Sequence, residues 1–141
     1  MNLLLDTHVA LWALSQPDRL AHDVQALLSD SSHSVYVSAA TVWEVEIKRA
    51  IGKLSAPDGF AAECTDRGFD PLVIDLVHAE RAGRLPLHHS DPFDRMLIAQ
   101  AIEDEQGEGG RYEAISDWTS KLPGAVARVG ARGRAQVRAR R

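Results

Sequence analysis

The chain has 141 residues, of which 45% are hydrophobic and 26% are charged, a composition typical of one soluble globular domain. Cys64 is the only cysteine, so an intramolecular disulfide is excluded and a reducing, cytoplasmic setting is expected. No apolar run is long enough to cross a membrane, and the apolar start is too short for a signal peptide, so we expect no membrane partner.

The net charge of −4 is unevenly distributed along the chain. Residues 1–127 contain all 20 acidic residues and 10 of the 16 basic ones, whereas residues 128–141 contain six arginines and no acidic residue. A basic segment beside an acidic body indicates either an arm for nucleic acid or a segment outside the fold. We therefore predict a folded domain over 1–117 and an atypical arginine-rich extension over 118–141, for which the composition favours disorder.

Short apolar runs alternate with amphipathic segments, and these predict strands and helices respectively. In chain order the predicted elements are a strand over 3–5, helices over about 8–15 and 20–28, a strand over 35–37, helices over about 39–51 and 57–67, a strand over 71–74, helices over about 76–84 and 91–105, and a weak strand over 112–116. The side chains placed to cap the helices that follow them are Thr7, Ser38 and Asp75. This alternation indicates an α/β/α sandwich around a central parallel sheet.

The stretch HHSDPFDRMLIAQA, residues 88–101, places two aspartates three positions apart at the start of a predicted helix. Asp91 is suited to cap this helix, and Pro92 is suited to its first position. One carboxylate satisfies the free N–H groups and the dipole at a helix start, so Asp94 has no evident structural purpose there. We therefore interpret Asp94 as a candidate functional residue.

Three carboxylates are predicted to converge at one edge of the sheet. Asp6 ends the first strand, Glu44 lies on the helix after the second strand, and Asp94 lies in the first turn of a later helix. Sites in parallel sheets form at the carboxyl ends of strands, where the strand order reverses. Clustered carboxylates need a cation to stay ionised together, and Mg²⁺ or Mn²⁺ is the usual cation for oxygen ligands. The pattern therefore predicts a metal site.

Three segments carry a resemblance to a known family: LLLDTHVALWAL (3–14), VYVSAATVWEVEIKRAIGKL (35–54) and LPLHHSDPFDRMLIAQA (85–101). They resemble PIN-domain proteins of the VapC type, the ribonuclease toxins of bacterial toxin–antitoxin pairs, and the resemblance runs from Met1 to about Ala101. It implies an α/β/α fold and hydrolysis of RNA phosphodiester bonds with Mg²⁺, or Mn²⁺ as its substitute. It also implies a homodimer and a small antitoxin protein as partner.

The resemblance places the family's first, second and third acids on Asp6, Glu44 and Asp94, which become the catalytic and metal-binding candidates. A metal held by them would activate a water molecule for attack on phosphorus and neutralise developing charge. Thr7 is then expected to hydrogen-bond a coordinated water or a ligand carboxylate.

The simpler explanations for these residues are ordinary structural ones. Asp6 suits the end of a strand, and Thr7 suits a helix cap. Glu44 lies four residues before Lys48, a spacing typical of an ion pair on a solvated helix face, worth about 0.2–0.5 kcal/mol. From spacing alone this surface pair is the favoured explanation for Glu44.

The residues around the two aspartates also include candidates for RNA contact. His88 and His89 are adjacent and point in different directions, which does not suit a zinc site. We interpret them as loop residues and take His89 and Arg95 as candidates for contact with RNA. For Arg95, a surface ion pair with Asp91 is an equally good interpretation.

The chain departs from the family pattern after about Ile102. The family's next strand is hydrophobic and leads to a fourth acid; here the strand is weak and the nearest acid is Asp117, which we take as a weaker fourth metal ligand. Residues 118–141 resemble nothing in the family, and their acid-free composition is typical of out-of-frame translation of GC-rich DNA. Translation of the gene's other two frames tests this hypothesis.

The leading interpretation is a metal-dependent endoribonuclease that acts as the toxin of a toxin–antitoxin pair. The alternative is a catalytically weakened PIN-like module that binds RNA or antitoxin without cleaving, and metal binding with RNA cleavage separates the two. A phosphatase or receiver-type domain fits less well, because Asp6 stands alone at its strand end and Lys121 follows no clear strand.

Overall fold

The computed structural model describes residues 2–56, 58–86 and 91–103 in full, and the backbone of strands at 112–115, 125–129 and 135–139. The strands are β1 (Asn2–Leu5), β2 (Ser34–Ser38), β3 (Asp70–Leu72), β4 (Tyr112–Ile115), β5 (Ala125–Val129) and β6 (Ala135–Ala139). The α-helices are α1 (Thr7–Ser15), α2 (His22–Ser29), α3 (Ala39–Ala50), α4 (Phe60–Asp66), α5 (Leu76–Arg84) and α6 (Pro92–Glu103), with a 3₁₀ turn at Pro17–Arg19. Within this described part no helix has the length and apolar character to span a membrane.

The strands form one sheet in the order β3-β2-β1-β4-β6-β5. β1 pairs in parallel with β2 on one side and with β4 on the other, and β2 pairs in parallel with β3. Successive strands β2 and β3 are therefore added on one side of β1, and the next strand, β4, is added on the other side of β1. That reversal places a topological switch point at the carboxyl ends of β1 and β4, where sites form in such sheets.

β1 is buried on both faces, which confirms the prediction from its run of three leucines. Leu3 and Leu5 pack in one apolar cluster with residues of α1, α3 and α4, such as Val45. Leu4 faces the opposite side and packs against α6, where Ile98 is buried. Helices thus cover both faces of a sheet whose first four strands are parallel, as the predicted α/β/α sandwich requires.

Three of the four predicted helix caps are confirmed and one is wrong. Ser38 accepts a hydrogen bond from the Ala40 N–H, and Asp75 and Asp91 cap α5 and α6 in the same way. Thr7 is not a cap, because α1 begins one residue earlier than predicted and Asp6 takes that position. The Asp6 Oδ1 atom accepts from the Val9 N–H at 2.8 Å.

Two elements are shorter than predicted, for local reasons. The helix expected over 57–67 begins only at Phe60, because Gly59 adopts a left-handed conformation with φ 80° that a helix interior does not accept. The strand expected over 71–74 covers only 70–72, where β3 is an edge strand that pairs with β2. Pro71 has no N–H to donate to a neighbouring strand, so it is compatible with an edge strand and limits the length of β3.

Within the arginine-rich extension the structure describes the backbone of two strands, and the disorder that its composition favours stays a prediction. β5 and β6 lie within it and pair antiparallel, with Ala125 opposite Ala139, and β6 pairs with β4 at Ala114 opposite Ala135. Both segments contain alanine and valine at alternating positions, a pattern compatible with strands. The division of the chain at residue 117 itself stays a prediction, since it lies outside the described residues.

Gln100 is a fully buried polar side chain that joins three parts of the fold. Its amide oxygen accepts a hydrogen bond from Ser38 Oγ at 2.6 Å, and its amide nitrogen donates to the Val73 carbonyl at 3.2 Å. Ser38 in turn caps α3. These contacts fix α6 against the carboxyl ends of β2 and β3.

The Cys64 thiol is expected to react with a disulfide reagent at least about 100-fold more slowly in the native protein than in the unfolded chain. Burial, with a smaller contribution from the charge of Glu63, raises the pKa of Cys64 to about 11. About one thiol in a thousand is then ionised at pH 8, against about a quarter in an unfolded chain. The measurement is the reaction rate in buffer and in guanidinium chloride, and equal rates would contradict the described burial.

Candidate active site

Asp6 stands at the switch point of the sheet, directly after β1. Its side chain is buried, with 3% of the residue exposed, and its Oδ1 atom caps α1 through the Val9 N–H. The cap explains one oxygen of this carboxylate and fixes its orientation at the strand end. The predicted position of Asp6 at the carboxyl edge of the sheet is therefore confirmed.

Glu44 is brought to the same edge by a hydrogen bond across the fold. Thr7 Oγ1, next to Asp6 in the chain, donates to Glu44 Oε1 at 2.5 Å. The second oxygen, Oε2, forms an ion pair with Lys48 Nζ. The pair that spacing predicted is thus present, but Glu44 is 4% exposed, so the expected solvated helix face is wrong.

Thr7 makes the kind of contact that was expected of it, a hydrogen bond to a candidate carboxylate. Its hydroxyl is buried beside the strand end, so it holds Glu44 near Asp6 rather than near solvent. Any role toward a coordinated water stays a prediction. Thr7 therefore acts in this structure as the link between β1 and α3.

Asp94 lies at the head of α6, next to the cap. Asp91 Oδ1 accepts from the backbone N–H groups of Phe93 and Asp94, at 2.8 and 3.2 Å. The Phe93 ring meets the Trp43 ring edge to face, with centroids 5.3 Å apart, which packs the head of α6 against α3. Because Asp91 already caps the helix, the half-buried Asp94 is surplus to that need, as its sequence position predicted.

Lys48 on α3 interacts electrostatically with carboxylates of both α3 and the head of α6. Its hydrogen bond with Glu44 raises the pKa of Lys48, and the charges of Glu44, Asp91 and Asp94 raise it further, against the opposing effect of burial. The carboxylate of α3 and the acidic head of α6 therefore act on one ammonium group. The sequence contained this signal in the four-residue spacing from Glu44, which we interpreted as a surface pair.

Carboxylate oxygens are the ligand type that Mg²⁺ prefers, but the described side chains at this edge are not arranged to coordinate it. Across residues 2–56, 58–86 and 91–103, no group of three or more His, Cys, Asp or Glu side chains is arranged to hold a metal ion. Both oxygens of Glu44 are engaged by Thr7 and Lys48. The described residues alone therefore do not fit a bound metal, and the cation they present at this edge is the Lys48 ammonium.

Thr41 is a buried polar group that sequence reasoning did not identify. It lies on α3 almost one turn before Glu44 and is 0% exposed. Its Oγ1 atom has no hydrogen-bond partner among the described residues, a situation that costs about 1–3 kcal/mol for a buried hydroxyl. A buried polar group without a partner calls for an explanation, and Thr41 lies on the same helix as a candidate site residue.

The Arg95 side chain hydrogen-bonds to backbone carbonyl groups at the end of α5. Its guanidinium donates to the carbonyl oxygens of Ala82, Leu85 and Pro86, at 2.8, 2.9 and 3.0 Å. A cation at the end of a helix satisfies the last carbonyl groups and interacts favourably with the dipole. Contact of Arg95 with RNA stays a prediction, and the other candidates, His89 and Asp117, lie outside the described residues.

Comparison with known proteins supports the resemblance seen in the sequence. The family model described as PIN domain matches residues 3–106. Ribonuclease VapC16 of Mycobacterium tuberculosis (strain ATCC 25618 / H37Rv) is 34% identical over 61 residues, which cover 40% of this chain and 43% of that protein. The match thus spans less than half the length of that relative.

A solved structure has a similar fold. It is described as the crystal structure of VapBC2 from Rickettsia felis bound to a DNA fragment from their promoter. One of its chains superposes with a TM-score of 0.57 and 12% sequence identity, and the alignment covers 87% of this chain and 94% of that one. At this identity the likeness shows the fold alone.

Proposed function

This chain belongs to the PIN-domain family, and on that premise we propose that it is a metal-dependent endoribonuclease that hydrolyses RNA phosphodiester bonds as the toxin of a toxin–antitoxin pair. The observation that carries the proposal is the hydrogen bond from Thr7 to the buried Glu44, which joins α3 to the strand end that bears Asp6. The name of the ribonuclease relative supports RNA as the substrate class.

Asp6, Glu44 and Asp94 are the catalytic residues of this proposal. Asp6 is held by its cap on α1, Glu44 is held by Thr7 and Lys48, and Asp94 follows the cap of α6. Carboxylates held in this way can orient a water molecule for attack on phosphorus. Mg²⁺ or Mn²⁺, if bound by these carboxylates together with further donors, would supply a Lewis acid and lower the pKa of a coordinated water.

Because the described side chains do not form a cage, the proposed metal site requires a change of side-chain arrangement or further donors. Asp117 is the donor we propose from the undescribed part of the chain, with water molecules and RNA oxygens in the remaining positions. Loss of Mn²⁺ binding in Asp6→Asn, measured by calorimetry, is the expected result for a direct ligand.

The proposed partners are an antitoxin protein and a second copy of the chain. The solved structure of similar fold is named as a VapBC complex, which supports a partner protein that silences the toxin. The homodimer rests on the family resemblance, and the proposed setting of the whole assembly is the cytoplasm.

A catalytically weakened module is the second candidate function, and two observations favour it. The family match ends at residue 106, before Asp117, and no three described side chains are arranged around an ion. A chain of this kind would keep its PIN fold and bind RNA or antitoxin without cleaving.

Growth of a bacterial host tests the toxin proposal. Induction of the wild-type chain is expected to arrest growth, induction of Asp94→Asn at equal soluble level is not, and co-expression of a cognate antitoxin protein is expected to restore growth. Arrest by both proteins would show toxicity that does not depend on the site. Normal growth with both would favour the weakened module.

A further inference from the structure

The exposed apolar side chains of the described residues include a group at the start of α5. Leu76 is 88% exposed, and Val73, Val77 and Trp43 of α3 are each more than half exposed. Single exposed apolar residues are common, but these four expose on the order of 500 Å² of apolar surface, which is the size of the largest patch on a typical monomer. A patch of this size is often an interaction surface.

An apolar groove of about 250 Å³ joins Trp43 to this part of α5. It lies between α3, α5 and α6, and its lining includes Trp43, Ile74, Gly83 and Phe93. A Cβ atom added at Gly83 would meet nothing within 4 Å, so the groove is open above this residue. The charged residue in the lining is Arg95, whose guanidinium donates to carbonyl groups at the end of α5. The groove therefore suits an apolar side chain.

The protruding leucine and the groove lie on one face of α5. Leu76 and Gly83 are seven residues apart, which is almost two helical turns, or about 10 Å along the axis. Ala79 lies between them on this face and is exposed, and its small side chain lets another helix approach closely. A surface that carries both a protrusion and a groove is complementary to itself when two copies pair about a twofold axis.

The charges of α5 have the same self-complementary arrangement. Asp75 caps the start of the helix and Arg84 is its last residue, and both side chains are more than half exposed. If two α5 helices pack antiparallel with Leu76 opposite Gly83 of the second copy, the same register places Asp75 opposite Arg84 of the second copy. Within its own chain Arg84 pairs with Glu80, an exposed contact that solvent weakens. The apolar and the charged residues thus indicate one register.

We propose that α5 forms the interface between two copies of this chain: two α5 helices pack antiparallel about a twofold axis near Ala79, Leu76 of each copy enters the groove of the other, and Asp75 pairs with Arg84 of the second copy. The inference rests on the proposed function in that it gives the homodimer named there a surface and a register. A standard interface buries about 800 Å² on each partner, and here the patch and groove provide its apolar centre and the charges of α5 its rim.

The proposed interface adjoins the candidate active site. Trp43 directly precedes Glu44 in the chain, and Phe93 directly precedes Asp94. The rings of Trp43 and Phe93 meet edge to face, and both residues line the groove. A second copy seated in the groove would therefore border the site.

The oligomeric state of the full chain, measured by sedimentation equilibrium, tests the interface. Wild type is expected to be a dimer, and Leu76→Asp is expected to weaken dimerisation at least about 100-fold, because it places an unpaired carboxylate in the groove. The fold should tolerate this change, since Leu76 is exposed and an acidic residue suits the first turn of a helix.

The matched control is Ile51→Asp. Ile51 is also an exposed apolar residue, but it lies at the end of α3 and outside the lining of the groove. This variant should dimerise as wild type does. A monomeric wild type, or equal weakening in the two variants, would overturn the proposal.

Disulfide cross-linking tests the register. A residue close to a twofold axis faces its own copy, so Ala79→Cys is expected to form a covalent dimer under mild oxidation. The control is Ala62→Cys, which is exposed on α4, a helix that packs in the apolar cluster on the other side of the sheet from α6. The native Cys64 is buried. Equal cross-linking of the two variants, or none in either, would overturn the proposal.

RNA cleavage and antitoxin binding, measured on the same proteins, separate this inference from the proposed function. A dimer that cuts no RNA would support the interface and overturn the ribonuclease, whereas a monomeric wild type that cuts RNA would do the reverse. A monomeric wild type whose binding to the cognate antitoxin is lost in Leu76→Asp and kept in Ile51→Asp would assign the patch to the antitoxin and overturn the proposal.

Discussion

Asp94→Asn is expected to lower the rate of RNA cleavage at least about 100-fold, more than the loss typical of a residue outside the direct ligands. The side chain keeps its shape but loses the negative charge that would bind a metal ion or accept a proton from the attacking water. Folding should change little, because Asp91 provides the cap of α6 and a first-turn acid is worth up to about 2 kcal/mol.

Asp91→Asn is the control for this prediction. It removes the same charge from the same helix head, and asparagine caps helices as well as aspartate does. We expect this variant to cleave RNA within about threefold of wild type, well short of the effect expected for an oriented catalytic group. Equal losses in the two variants would indicate that the general negative potential matters rather than Asp94 itself.

Gln100→Ala is expected to lower the free energy of unfolding by about 3 kcal/mol. The substitution removes the acceptor for Ser38 and the donor to the Val73 carbonyl, and it opens a cavity in a site with 0% exposure. Urea denaturation measures the change as a lower midpoint, with an unchanged slope if the unfolded state is unaffected.

Two further variants separate the causes of that loss. Gln100→Met keeps most of the volume and removes the hydrogen bonds, so it is expected to cost about half as much. Gln25→Ala removes a half-buried side chain with one hydrogen bond, to the Leu20 carbonyl, and should cost less than about 1 kcal/mol. A cost for Gln100→Ala no larger than that of Gln25→Ala would contradict the described contacts.

Local sequence signals predicted much of the fold because the forces that they reflect are local. Ser38, Asp75 and Asp91 precede apolar periodicity and satisfy the free N–H groups of their own helices. The leucines of β1 indicated a strand buried on both faces, because no polar position alternates with them. The shift from Thr7 to Asp6 as cap of α1 is a one-residue error of the kind that capping patterns leave open.

The contacts of the candidate site were less visible because they join distant parts of the chain. Glu44 looked like a surface residue from its spacing to Lys48, but it is 4% exposed and accepts a hydrogen bond from Thr7, 37 positions away. Arg95 looked available to RNA, yet its hydrogen bonds go to the end of α5. In both cases the packing between helices determines the contacts of the side chain, and sequence periodicity cannot predict that packing.

The sequence was least informative beyond residue 103. Composition gave no signal for the antiparallel pair that the backbone of β5 and β6 forms at the edge of the sheet. Six arginines dominated the composition, but strand formation depends on alternation and on an available edge, and β4 offers one. The fourth acid of the site, Asp117, stays a prediction.

Cleavage of total RNA from the native host by antitoxin-free protein tests the central claim most directly. The reaction is run with Mn²⁺ and with EDTA, and the new ends are mapped by sequencing. Discrete cuts that require Mn²⁺ are the predicted result, and they would also identify the RNA target. Cuts that persist in EDTA, or the absence of cuts by protein shown to be folded, would contradict a metal-dependent ribonuclease.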